Sequence, residues 1–235
     1  MIRQTFRLAV GVAAIALLPG LAQAQDKLRV GLMLPYSGTY AQLGEAIENG
    51  FRLYVEQNGG KLGGREIEYF KVDDESAPPK AADNMNKLVK RDNVDVVIGT
   101  VHSGVAMAMA RIARQTGTLM INPNAGADAV TGPMCAKNIF RSSFSNWQPG
   151  YATGEALAKT GAKNVVTITW KYAAGDESVG GFTEAFEKGG GKVVENLTVP
   201  FPNVEFQALL TRIASLKPDA VYTFFAGGGA VKFVK

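Results

Sequence analysis

The chain has 235 residues, 46% of them hydrophobic and 20% charged, with a net charge of +4 and a single cysteine. A charge so small, spread along the chain, excludes an electrostatic grip on nucleic acid or on an anionic membrane surface. One cysteine excludes an intrachain disulfide framework, so a hydrophobic core must hold the fold, and the length is ample for one or two lobes.

Arg3 and Arg7 precede an apolar run, Leu8–Leu18, that is too short for a stable membrane span. Pro19 and Gly20 break the run, and Ala22-Gln23-Ala24 has the small-x-small pattern of a cleavage site. The pattern predicts a signal peptide over 1–24, cut after Ala24, and an exported, periplasmic mature chain starting at Gln25. The leader's two arginines account for half of the net charge.

From Leu28 two textures alternate. Runs rich in Val, Ile, Phe and Tyr predict strands at Leu28–Leu34, Ile67–Val72, Val94–Ile98, Leu119–Ile121, Val165–Trp170, Val193–Val199 and Ala220–Phe225. Between them, helical spacing predicts helices at Leu43–Gln57, Pro79–Arg91, Ser103–Gln115, Gly150–Lys159, Val179–Lys188 and Phe206–Leu216. Ser76 is the expected cap of the second of these, with prolines near its first turn. Strands alternating with helices of this length predict an α/β fold of βαβ units with mostly parallel sheets covered on both faces.

The alternation loosens between Gly126 and Gln148, where Gly, Pro, Ser and Asn surround one short run, Ile139-Phe140-Arg141. A long structureless insertion inside one compact domain is uncommon, so Arg141–Ser145 reads as a crossover between two similar lobes, 25–142 and 143–235. The last residues, "DAVYTFFAGGGAVKFVK", read as a strand, a glycine turn and the start of a helix, so the second lobe is expected to be incomplete.

Ligands of open parallel sheets bind where strand carboxyl ends meet helix starts. Three first-lobe loops qualify: Pro35–Gly44, Gly99–Gly104 and Asn122–Asp128. None has the glycine spacing or the lysine of a nucleotide loop. His102 and Ser103 are adjacent at a helix start and point in different directions, and "VHSGV" is not a nucleophile elbow. Cys135 has no second histidine to activate it, and one His with one Cys makes no metal pattern. No catalytic group, metal or cofactor is expected, and His102 reads as a bystander. Anion capture without chemistry remains, with the Ser103 hydroxyl and the amides behind it at the positive end of a helix. Micromolar affinity needs about 8 kcal/mol, more than one loop supplies, so a second surface must close over the ligand.

The exported N-terminus, "VGLMLPYSGTYAQLGEAIENGFRL", "VDDESAPPKAADNMNKLV", "VDVVIGTVHSG", "LMINPNAGAD" and "YAAGDESVGGFTEAFEKGGGKVV" together resemble the leucine/isoleucine/valine-binding family of periplasmic solute receptors, from Lys27 to the last residue. The resemblance implies a type I periplasmic-binding-protein fold of two flavodoxin-like lobes. It implies a monomeric receptor that carries a small carboxylate ligand to the membrane permease of an ABC importer. It places the ligand's carboxylate at Ser103 and at Asn124, Ala125 and Gly126, where Gly126 supplies backbone but not the hydroxyl often found there. It places the ligand's side chain at Leu43, Tyr172 and, by a looser match, Phe225. The acidic residue that family members use for an amino acid's ammonium group lies beyond this chain. Leu43 and Phe225, with Trp147 and Tyr172 nearby, tilt the expected ligand from an amino acid toward an aromatic or other organic acid. An exported enzyme of flavodoxin-like fold and a ligand-sensing domain are the alternatives.

Overall fold

The computed structural model describes residues 26–235. The expected leader and its cleavage after Ala24 lie outside the described residues. The first sheet contains β1 (Leu28–Leu34), β2 (Lys61–Leu62), β3 (Arg65–Asp73), β4 (Val96–Ile98), β5 (Leu119–Asn122) and β6 (Ile139–Arg141), in the spatial order β2-β3-β1-β4-β5-β6. Only the β2–β3 pair is antiparallel. Gly63 and Gly64, at φ 55° and 80°, turn that hairpin, which is why β3 begins two residues before the hydrophobic run that predicts it.

The helices of this lobe are α1 (Ala41–Gln57), α2 (Pro78–Asn86), α3 (Ser103–Thr116) and the single turn α4 (Asp128–Thr131), with a wide helical turn over Lys87–Arg91 after α2. Successive β1 residues point to opposite faces of the sheet, and both faces are covered. Met33 joins Met85, Leu88, Val97 and Met109 on one side, while Val30 and Leu32 join Val96, Ile98 and Phe51 on the other. Each such fully buried side chain contributes about 1.5–3 kcal/mol, and this two-sided burial makes the strands read as continuous apolar runs.

The second sheet has β7 (Asn164–Lys171), β8 (Lys192–Pro200) and β9 (Ala220–Phe224), all parallel, in the order β8-β7-β9. Its helices are α5 (Trp147–Ala158), α6 (Ala173–Lys188), α7 (Gln207–Leu216) and α8 (Gly227–Val234). Helix α5 starts three residues, and α6 six residues, ahead of their predicted starts. The two pack so closely that a Cβ at Gly150 would lie 2.1 Å from the Ser178 carbonyl oxygen, and one at Gly154 2.3 Å from that of Phe182. Glycines needed for this approach weaken the helical signal in the sequence.

The expected cap at Ser76 requires correction. Ser76 has φ 53°, its hydroxyl makes no hydrogen bond, and the residue before α2 is Ala77. Asp74 organises the turn instead: its Oδ1 accepts from the Ser76 N–H at 2.8 Å and its carbonyl from the Ala77 N–H at 2.9 Å. Among the described residues no helix is long and apolar enough to cross a membrane.

Candidate functional site

The loops after β1, β4 and β5 open on one edge of the first sheet, and the second lobe faces them across a cleft of about 250 Å³. Of the residues expected at a site, Leu43, Ser103, Asn124, Gly126 and Tyr172 line it. Ala125 does not. It is buried behind the loop, with its N–H donated to the Thr100 carbonyl and its carbonyl accepting from Asn122 Nδ2 at 2.6 Å. Asn122 Oδ1 also accepts from the Asn124 N–H, so one buried amide side chain shapes the whole loop. Among the described residues the Gly126 N–H has no hydrogen-bond partner.

The expectation for Phe225 also requires correction. Its ring packs into the second-lobe core, 5.1 Å from Trp170, 5.0 Å from Phe206 and 4.9 Å from Phe233 by centroid. Its neighbour Phe224 lines the cleft, because adjacent strand residues face opposite ways. Trp147 lies off the cleft on α5, its ring tilted against Tyr151 at 4.5 Å and its Nε1 donating to Glu184 at 3.0 Å. Cys135 is exposed and unpaired.

Sequence reasoning missed Tyr40, Phe144 and Asn146, which line the cleft with the others. Tyr40 is buried, and its hydroxyl lies 2.8 Å from that of Tyr172 on the second lobe. Burial raises both phenols, Tyr172 to about 12, so the pair stays protonated. Around it, Phe201 sits 5.3 Å from Tyr40 and 5.0 Å from Trp170, an aromatic seam between the lobes.

His102 is no bystander. It occupies the cap position of α3, where its Nδ1 accepts from the Gly104 N–H at 3.1 Å. The expected free amide of Gly104 is therefore taken. The imidazole is buried, with Tyr172 and Phe201 each 4.8 Å away, and burial lowers its pKa to about 4. It is neutral, with its proton on Nε2.

Ser103, the first residue of α3, is buried, and its Oγ accepts from Asn146 Nδ2 at 3.1 Å. The same nitrogen donates to Glu177 Oε2 at 2.7 Å. Glu177, on α6, also accepts from the Asp128 N–H at 3.2 Å, and burial raises its pKa. Beneath the Ser103 loop, the Thr100 hydroxyl bonds Asp74, whose pKa is pushed up to about 6 by burial. No lining residue of the cleft is charged. The site therefore combines a few uncharged hydrogen-bonding groups, among them Ser103 at the start of α3, with walls that are mostly apolar. Among the described residues no cluster of His, Cys, Asp and Glu could hold a metal ion.

The family model for periplasmic binding proteins matches residues 27–235. The chain belongs to the periplasmic binding protein family. The fold resembles that of a solute-binding protein of an ABC transporter from R. palustris solved in complex with benzoate, at 62% identity and a TM-score of 0.88. The match covers 89% of this chain and 58% of that one. A solute-binding protein from Rhodopseudomonas palustris BisB5, in complex with 3,4-dihydroxybenzoic acid, is 33% identical with a TM-score of 0.83, over 89% of this chain and 58% of that one. A Leu/Ile/Val-binding protein homolog from Brucella abortus is 26% identical over 94% of this chain and 57% of its own length. The chain thus spans little more than half the length of the relatives it matches. The two α/β lobes are those of a type I periplasmic-binding-protein fold, as the resemblance implied.

Proposed function

We propose that this chain is the ligand-binding part of a periplasmic receptor that captures a small aromatic carboxylate between lobes 25–142 and 143–235. It delivers the ligand unchanged to the membrane permease of an ABC importer. The receptor works as a monomer and is exported by a leader cut after Ala24. The observation that carries this reading is an uncharged, largely apolar cleft lined by Ser103 and by Gly126, whose N–H has no partner among the described residues. Leu43, Phe144 and Phe224 would flank the ring, with Asn124 beside the carboxylate and Tyr40 and Tyr172 on the facing wall.

The energetics support an aromatic ligand. Hydrogen bonds to a carboxylate contribute about 1.5–3 kcal/mol each, and burying about 100 Å² of ring about 2.5 kcal/mol more. Together these approach the roughly 8 kcal/mol of micromolar binding. The likeness to the benzoate-bound relative supports the same class.

Calorimetric titration of the full chain with benzoate and with leucine tests it. Benzoate should bind more tightly, and Ser103→Ala should weaken it roughly 10- to 100-fold. Failure to bind any carboxylate, with turnover of some substrate instead, would overturn the reading.

A further inference from the structure

The side chain of Asn146 has three neighbours that together leave it one orientation. Both Glu177 oxygens accept from the Asp128 N–H at 3.2 Å, and Oε2 also accepts from the Asn146 amide, which turns its Nδ2 toward Glu177 at 2.7 Å. The other Nδ2 hydrogen falls to Ser103 Oγ at 3.1 Å. On the opposite side Asn146 Oδ1 lies against Gly126, where a Cβ would come within 2.3 Å of it. The Asn146 N–H also donates to the Gly126 carbonyl at 2.8 Å, pinning the backbone. Asn146 and Ser103 are 3% and 1% exposed, so neither side chain has room to swing.

A serine oxygen that already accepts from an amide keeps its own proton for another partner. Resting on the receptor reading above, we infer that Asn146 and Glu177 are positioning residues that fix Ser103 as a hydrogen-bond donor, making the cleft select carboxylates over neutral carboxamides. With the Gly126 N–H as a second donor, two donors meet two acceptor oxygens. A carboxamide presents one acceptor and one NH₂, which leaves two donors opposed. Glu177 belongs to the second lobe and Ser103 to the first, so the relay is complete only when the lobes meet.

Benzoate and its neutral isostere benzamide are the probes, titrated into the full chain by calorimetry, with thermal melts run on each variant. The unmodified protein should favour benzoate by roughly 100-fold or more. Asn146→Ala frees Ser103 to donate or accept and should narrow that ratio about tenfold or more. Glu177→Gln, whose own amide can face Asn146 either way, should narrow it roughly 3- to 10-fold. Leu43→Ala, a packing change, should weaken both ligands and leave the ratio intact. An unchanged ratio in Asn146→Ala and Glu177→Gln variants that melt cooperatively overturns the relay. If Asn146→Ala fails to fold, Glu177→Gln decides. Equal binding of both probes by the unmodified protein overturns the relay while leaving the receptor reading standing, and binding of neither overturns both.

Discussion

The hydroxyls of Tyr40 and Tyr172 face each other at 2.8 Å, one from each lobe, on the wall of the cleft. One must donate and the other accept, so the pair satisfies itself at the point where the lobes touch. Truncating either hydroxyl alone leaves its partner unsatisfied in a buried place, which costs about 1–3 kcal/mol. Tyr40→Phe and Tyr172→Phe should each lower the stability of the full chain by that amount, whereas the double variant should cost less than the sum. Urea unfolding of the four proteins as a double-mutant cycle measures the coupling, and strict additivity would show that the pair contributes nothing.

Gly126 and Asn146 are similarly interdependent. Gly126→Ala drives a methyl to 2.3 Å from Asn146 Oδ1 and should destabilise by about 1–3 kcal/mol. Adding Asn146→Ala removes the side-chain part of the collision and leaves the Asn146 backbone nitrogen at 2.8 Å, so the second change should cost less stability in the Gly126→Ala background than in the native one. Equal losses in the two backgrounds would contradict the contact.

Opposing pH dependences meet at the ligand-side loop. His102 has a folded pKa of about 4 against an ordinary 6.5, so the unfolded chain binds more protons between those values and stability rises with pH across that window. Asp74 has a folded pKa of about 6 against an ordinary 3.8, so the folded chain binds more protons there and its contribution falls as pH rises. The two nearly cancel between pH 4 and 6. His102→Asn, which retains a capping side chain, should expose a stability that falls with rising pH. Asp74→Asn should expose one that rises. Urea midpoints at pH 4, 5, 6 and 7 read the slopes, and identical slopes in both variants would refute the assignment.

Glu48 gives a third pH signature. Burial alone would raise its carboxyl, but hydrogen bonds from Lys71 at 2.8 Å and Arg52 at 2.7 Å more than offset that and lower it from 4.5 to about 2. The clamp ties α1 to β3 and is fully present above pH 4.5, then lost as pH falls through about 2. Glu48→Gln should therefore reduce stability at neutral pH and flatten the acid limb of the unfolding curve.

Strand positions were legible because two-sided burial forces Val, Ile, Leu and Met into continuous runs, as in β1 and β4. Helix starts were less so. Gly150 and Gly154 of α5 serve close packing against α6 and erase the periodicity that marks an amphipathic helix. At the site, Ser103 and Gly126 could be found from strand-end loops, since their positions follow from chain order. Tyr40 and Asn146 could not, because their roles arise from contacts more than 40 residues away: Tyr40 with Tyr172, and Asn146 with Ser103. Phe225 was mistaken for Phe224 because two adjacent phenylalanines at a strand end carry no mark of which faces the core.

The imidazole that caps α3 from one lobe packs against Tyr172 and Phe201 of the other, the three rings forming a triangle. It is also the only histidine in the chain. The protein thus contains a spectroscopic probe that needs no label and no assignment. Its ring-proton resonances should shift when the two aromatic rings withdraw, and should hold still through neutral pH because burial keeps the ring from titrating there. Proton spectra recorded with and without benzoate would then report lobe movement from a single side chain, in the unaltered protein.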